Sequence, residues 1–107
     1  MLVNISKQPK AGDVICVKLV DGEEIIARLE NVSDDVYTIV RPVILHLVPL
    51  NNGQASVSFA PFSMGIDDET SIDIPFNRML FKPVVARKDA ASQYIRSTTG
   101  IDVVSKV

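Results

Sequence analysis

Apolar positions along the chain fall into short runs with a period near two, separated by clusters of turn-forming residues. Residues 13–20, DVICVKLV, read as a first strand, since branched side chains pack well on a pleated surface. Asp21-Gly22 follows at once. Glycine accepts the positive φ that a tight hairpin demands, so the chain is predicted to turn back here. Residues 23–30, EEIIARLE, would suit a helix on propensity alone. The hairpin context and the alternating apolar positions Ile25, Ala27 and Leu29 favour a second strand. Asn31 to Asp35 is a turn-forming cluster. A long third strand is predicted from Val36 to near Leu50, a second hairpin at Asn52-Gly53, and a fourth strand from Gln54 to near Met64. Gly65 to Glu69 reads as an acidic loop, Thr70 to Pro75 as extended, Phe76 to Arg78 as a short turn, and Met79 to Val85 as a fifth strand. Residues 87–99, RKDAASQYIRSTT, carry a helical pattern with Ala91, Tyr94, Ile95 and Thr98 on one face. Gly100 is placed to end that helix.

The third and fourth strands break the alternation. Both faces are apolar in VRPVILHLVPL, whereas a half-exposed strand would alternate. So small a domain has little material to cover both faces, which points to a homo-oligomer interface. Pro42, Pro49 and Pro61 sit inside these runs. Proline removes a ladder donor, so it indicates edges or bulges. Strongly bent strands with edges offered to a neighbouring subunit account for both features.

Composition narrows the class. A chain of 107 residues fits one domain, 1–107, with the strands over about 13–85 and the helix over about 87–99. The single cysteine, Cys16, excludes an internal disulfide framework and a CxxC metal site, and is expected as a small core residue. The start, MLVNISKQPKAGD, lacks the basic-then-apolar pattern of a signal peptide. The longest apolar run, VILHLVPL, is too short to span a bilayer. A soluble, cytoplasmic protein without membrane partners is the expectation. The net charge of −2 argues against strong non-specific nucleic-acid binding. The charge is uneven, however. Residues 78–107 carry six basic side chains against two acidic ones, a net +4, leaving −6 for residues 1–77. One face is therefore a candidate basic surface, the competing reading being an ordinary solvated helix face.

The stretch VKLVDGEEIIARLENVSDDVYTIV, Val17 to Val40, resembles the first signature motif of the Sm-like family (the LSm and Hfq group). Val17, Leu19, Asp21, Gly22, Ala27, Leu29, Val32 and Ile39 fall in register with it without a gap. IDIPFNRMLFKP resembles the second motif, a strand, a tight turn and a last strand. Phage-encoded members are the relatives it resembles most. The resemblance implies a mainly β fold: a small, strongly bent, five-stranded antiparallel SH3-like (Sm-like) barrel. Here it would carry an extended hairpin of strands three and four and a C-terminal α-helix. It also implies a homo-oligomeric ring joined edge to edge, fourth strand to fifth, which leaves no free edge. Family members usually carry a helix before the first strand, and this chain has its helical pattern at the other end.

Family function is binding of single-stranded RNA around the ring pore, by the loop after the second strand and the turn before the fifth. At those positions this chain has Ser33, Asp35 and Tyr37, then Ile74-Pro75 followed by Phe76, Asn77 and Arg78. Tyr37 stands where the family has Asn, Asp35 where it has a stacking residue, and Ile74-Pro75 where it has Arg-Gly. The usual uridine pocket is therefore altered. A substitute remains chemically reasonable: Tyr37 and Phe76 offer π faces, Asn77 a base-reading amide, and Arg78 a phosphate partner. The competing readings are a core plug for Phe76, a core or interface residue for Tyr37, and a solvated turn for Asp34-Asp35.

Enzymatic chemistry finds little footing. His46, the lone histidine, sits in ILHLV, where a packed, hydrogen-bonded residue is expected. There is no glycine-rich phosphate loop and no metal-ligand spacing, and Asp67-Asp68-Glu69 alone is a weak cation signal. No cofactor and no metal are expected. Two functions stay open: an Sm-like ring binding single-stranded RNA in RNA processing or regulation, and an Sm-like oligomeric scaffold for protein interaction without RNA. An unrelated, monomeric SH3-like barrel is a third reading.

Overall fold

The computed structural model describes residues 8–105, with side chains described as far as residue 98. The order is β1 (Val14–Lys18), β2 (Glu24–Ser33), β3 (Val36–Pro49), β4 (Ala55–Pro61), β5 (Ser71–Pro75), a 3-10 turn (Phe76–Arg78), β6 (Val84–Val85) and α1 (Lys88–Ser105). The strands form one antiparallel six-stranded sheet in the order β4-β3-β2-β1-β6, with β5 sharing with β4 the edge of β3 that faces away from β2. The fold is mainly β with a C-terminal helix, as expected.

Both predicted hairpins form. Gly22 and Gly53 take φ of +97° and +84°. Each closes its turn by donating its N–H three residues back, Gly22 to Leu19 at 2.9 Å and Gly53 to Leu50 at 3.3 Å. The third turn is shorter than the 31–35 cluster implied. Asn31, Val32 and Ser33 pair with Thr38, Tyr37 and Val36, so β2 runs on to a two-residue turn at Asp34-Asp35. Asp34 supplies the left-handed residue, with φ of +51°, a conformation that short polar side chains tolerate.

The expected closed five-stranded barrel is not what forms. Among the described residues there are six strands, and β5 and β6 do not pair with each other: β5 lies along β3 and β6 along β1. The 3-10 turn and the residues after it carry the chain from one edge to the other. The predicted strand 79–85 reduces to a Leu19–Met79 bridge and the two residues of β6. Pro83 accounts for the interruption, because it has no N–H to give to a ladder.

The sheet bends sharply at β3. Residues 36–40 of β3 pair with β5, and residues 43–49 pair with β4. The change of partner falls at Arg41-Pro42. Arg41 is left-handed, with φ of +56°, and Pro42 donates no bond. Two register shifts, between Ile26 and Arg28 and between Leu29 and Asn31, add to the bend on the β2 side.

Bending divides the core in two. The concave face holds Ile15, Val17, Ile25, Ala27, Leu29, Ile39, Ile74 and Met79. Fully burying aliphatic side chains of this size contributes about 1.5–3 kcal/mol each. On the opposite face Val14, Ile26, Ala86 and Tyr94 pack together, with Val43, Leu45, Phe59, Ala90 and Ala91 against them. Val43 and Leu45 of β3 and Phe59 of β4 pack against the cluster that holds Tyr94, so the helix side covers the base of the second apolar face, part of a role the sequence pattern had assigned to a neighbouring subunit. The outer half of the hairpin stays bare, with Leu47 at 73 % exposure. The helix runs past Gly100 to Ser105; one glycine costs a helix only about 1 kcal/mol relative to alanine. Ile95, expected on the packed face, is 42 % exposed. No helix among the described residues is long and apolar enough to cross a membrane.

Candidate nucleic-acid interface

The two segments singled out from the motifs lie side by side. Antiparallel pairing sets Val36 opposite Pro75 and Tyr37 opposite Ile74. Phe76 then donates its N–H to the carbonyl of Asp35 at 2.6 Å. Residues some forty positions apart thus share one rim, and the bond joins the β2–β3 turn to the 3-10 turn. The far side of the 3-10 turn is tied as well. Val20 N–H donates to the Arg78 carbonyl at 2.9 Å, and Leu80 N–H to the Lys18 carbonyl at 2.9 Å.

The six candidate side chains divide by exposure. Ser33, Asp35, Asn77 and Arg78 are exposed, and Tyr37 and Phe76 are half-buried. Both aromatic rings pack on the concave core, so each has a structural role, and only part of each ring reaches the surface. Among the described residues, no side-chain hydrogen bond or ion pair engages Ser33, Asp35, Asn77 or Arg78. The rim carries more acid than base. Asp34 and Asp35 form the turn itself, and Asp73, two rungs along, accepts from the Thr38 hydroxyl at 2.7 Å. Ser71 hydrogen-bonds Glu30 nearby. Arg78 is the cation of the 3-10 turn.

Other sequence candidates are placed differently from expectation. His46 is exposed, opposite Ser58 in the β3–β4 ladder, not packed in the core. Cys16 packs against the helix-side core, as a small core residue would, but remains partly accessible and donates from Sγ to Glu24 Oε2 at 3.1 Å. Burial first, then the hydrogen bond to Glu24 and the charge of that carboxylate, push its thiol up to about 12. It is protonated and unreactive at neutral pH. Glu69 of the acidic triplet turns to Arg41, with 3.3 Å between charged atoms.

Two surface features stand out, of which the first escaped sequence reasoning. The first is a hollow of about 280 Å³ beside the β3 kink, between α1, the base of the β3–β4 hairpin and the loop after β4. The residues it gathers are scattered over positions 41 to 98, and no local pattern marks them. The second is a pair of apolar edges. Val20, Leu80, Phe81, Val84 and Val85 are each 45–57 % exposed along the β1–β6 side, while Leu47, Val57, Met64 and Ile66 are exposed on the β4 side. Runs of Val and Leu in the sequence hide which members the fold leaves bare.

No protein-family model matches the chain, and no curated protein matches it.

Proposed function

We propose that the chain is an Sm-like module that assembles head to tail into a ring and holds single-stranded RNA at the joined turns. The observation that carries this reading is the Phe76–Asp35 backbone bond. It brings together the two segments that the Sm-like resemblance assigns to RNA, which lie some forty positions apart in the chain. Asn77 and Arg78 project there with exposed side chains, a base-reading amide beside a phosphate-binding guanidinium. The exposed parts of Tyr37 and Phe76 supply stacking surface, worth about 1–3 kcal/mol per base in such sites. Repetition around a ring would let weak sites act together. Assembly is supported by the bare apolar strips at the two opposite sides of the sheet, since exposed clusters of this kind mark interaction surfaces.

A second reading is a ring of the same build that serves as a protein scaffold. Its support is the acidic rim: Asp34, Asp35 and Asp73 repel phosphate. Fluorescence-polarisation titration with oligo(U) and oligo(A) RNA, at low and near-physiological salt, separates the two. RNA binding predicts saturation at both salts and a preference between the oligomers. Arg78→Ala and Asn77→Ala should each weaken it by about tenfold, the loss expected for one charge-assisted or base-reading contact. Absence of binding, or binding that vanishes as salt rises, would leave the scaffold.

A further inference from the structure

We propose that Phe81 and Lys82 of one copy plug the hollow at the β3 kink of the next. The contact rests on the self-assembly proposed above and gives it a side-chain lock. The hollow has an apolar floor, with Pro42, Phe59, Pro61 and Ile66 among its lining residues, and Asp67 and Asp68 also line it beside Arg41, whose guanidinium is paired with Glu69. Neither Asp67 nor Asp68 is in an ion pair among the described residues. The matching occupant is a large apolar group with a cation directly beside it. On the surface of the same chain, Phe81 is 45 % exposed and is followed by Lys82, which is exposed and likewise without an ion pair among the described residues.

Its own Phe81 does not reach its own hollow. The hollow sits where β3 meets β4, whereas residues 79–85 run along β1, at the other end of the strand order. Several ladder spacings of about 4.8 Å lie between them. The occupant is therefore a second copy. A plug at one edge and a socket at the other make a head-to-tail contact, which propagates until it closes. Charge favours the same pairing, because Lys82 on the plug would meet Asp67 and Asp68 in a hollow whose own cation, Arg41, is already paired with Glu69. Phe81 is 45 % exposed, so the contact encloses about half of the roughly 150–250 Å² that a whole aromatic side chain can bury.

The test compares the molar mass of wild type, Phe81→Ser and Ile66→Arg by light scattering at matched concentration, with circular dichroism to verify folding. Both positions are exposed. Wild type should assemble, and each variant should run as a single chain. Mixed in equal amounts, the two variants should give a species of two chains and no larger one. Phe81→Ser keeps a working socket and Ile66→Arg keeps a working plug, so the pair forms one contact and stops. As a check independent of packing, Lys82→Glu should weaken assembly and Asp68→Lys in the same chain should restore it. A wild-type protein that stays a single chain overturns both the plug and the ring reading. Variants that assemble as wild type does overturn the plug alone, as does a mixture that remains single chains.

Discussion

Gly22 shows what a single backbone angle costs. Its φ of +97° is open to glycine and strained for any residue with a Cβ, although nothing lies within 4 Å of where that carbon would stand. The penalty for Gly22→Ala is therefore conformational and not steric: about 1–2 kcal/mol of stability, read as a lower urea midpoint. Gly65→Ala is the control. Its site is equally open and its φ lies outside the left-handed region, so a change within about 0.5 kcal/mol is expected. Arg41 accepts the same kind of strain without being glycine. Its ion pair reaches a Glu69 side chain that is 78 % exposed, so it does little to offset that cost. What holds Arg41 comes from another element.

That element is α1. Tyr94 is buried to 1 % exposure in the helix-side core. Its hydroxyl donates to the Arg41 carbonyl at 2.8 Å, with the Val40 carbonyl at 3.4 Å. One side chain thus seals the second core and pins the kink where β3 changes partners. Tyr94→Phe preserves the ring and removes the donor. It should lower stability by about 1–2 kcal/mol, the net worth of a hydrogen bond plus the carbonyl left unpaired. Denaturant melts of the two proteins measure this, and unchanged midpoints would assign the helix a packing role only. The hairpin of β3 and β4 reaches beyond the helix, so its outer half gains no such support. Exposed Leu47 and Val57 on that half await a partner if the molecule has one.

For the molecule as a whole, the two perturbed groups act in the same direction. Burial, chiefly, raises Tyr94 above its ordinary value, and burial with Glu24 raises the Cys16 thiol from 9.0 to about 12. Between the unfolded and folded values the unfolded chain has lost a proton that the folded chain retains. Stability is therefore full below the unfolded pKa and falls as pH rises. For Cys16 the decline starts near 9.0, and Tyr94 adds to it from about 10 upward. Unfolding free energy measured from neutral pH into that range should drop steadily. Cys16→Ala should remove the earlier part of the drop and leave the later part. The proposed self-association belongs to this scale too, since Phe81 and the hollow lie at opposite sides of the sheet.

Local features were legible from the chain. Asp21-Gly22 and Asn52-Gly53 specify their turns because a positive φ is a property of one residue and its neighbours. The alternation of Ile25, Ala27 and Leu29 specifies a strand against helix propensity, because a two-residue period puts all three on one face. The helix after Arg87 was legible from its spacing, although Gly100 proved too weak a signal to stop it. The joining of Asp35 to Phe76 was anticipated only through the motif resemblance; the contact itself depends on β5 lying along β3. Tertiary structure alone decided the rest. The ring of Pro42 fixes its own φ at about −65°, so the strained angle falls on Arg41, and a helix from more than fifty residues away holds the Arg41 carbonyl through Tyr94. The apolar second face of β3 is covered in part from within the chain. Pairing of distant segments decides which Val, Leu and Phe remain bare, and with them the two surfaces on which assembly would depend.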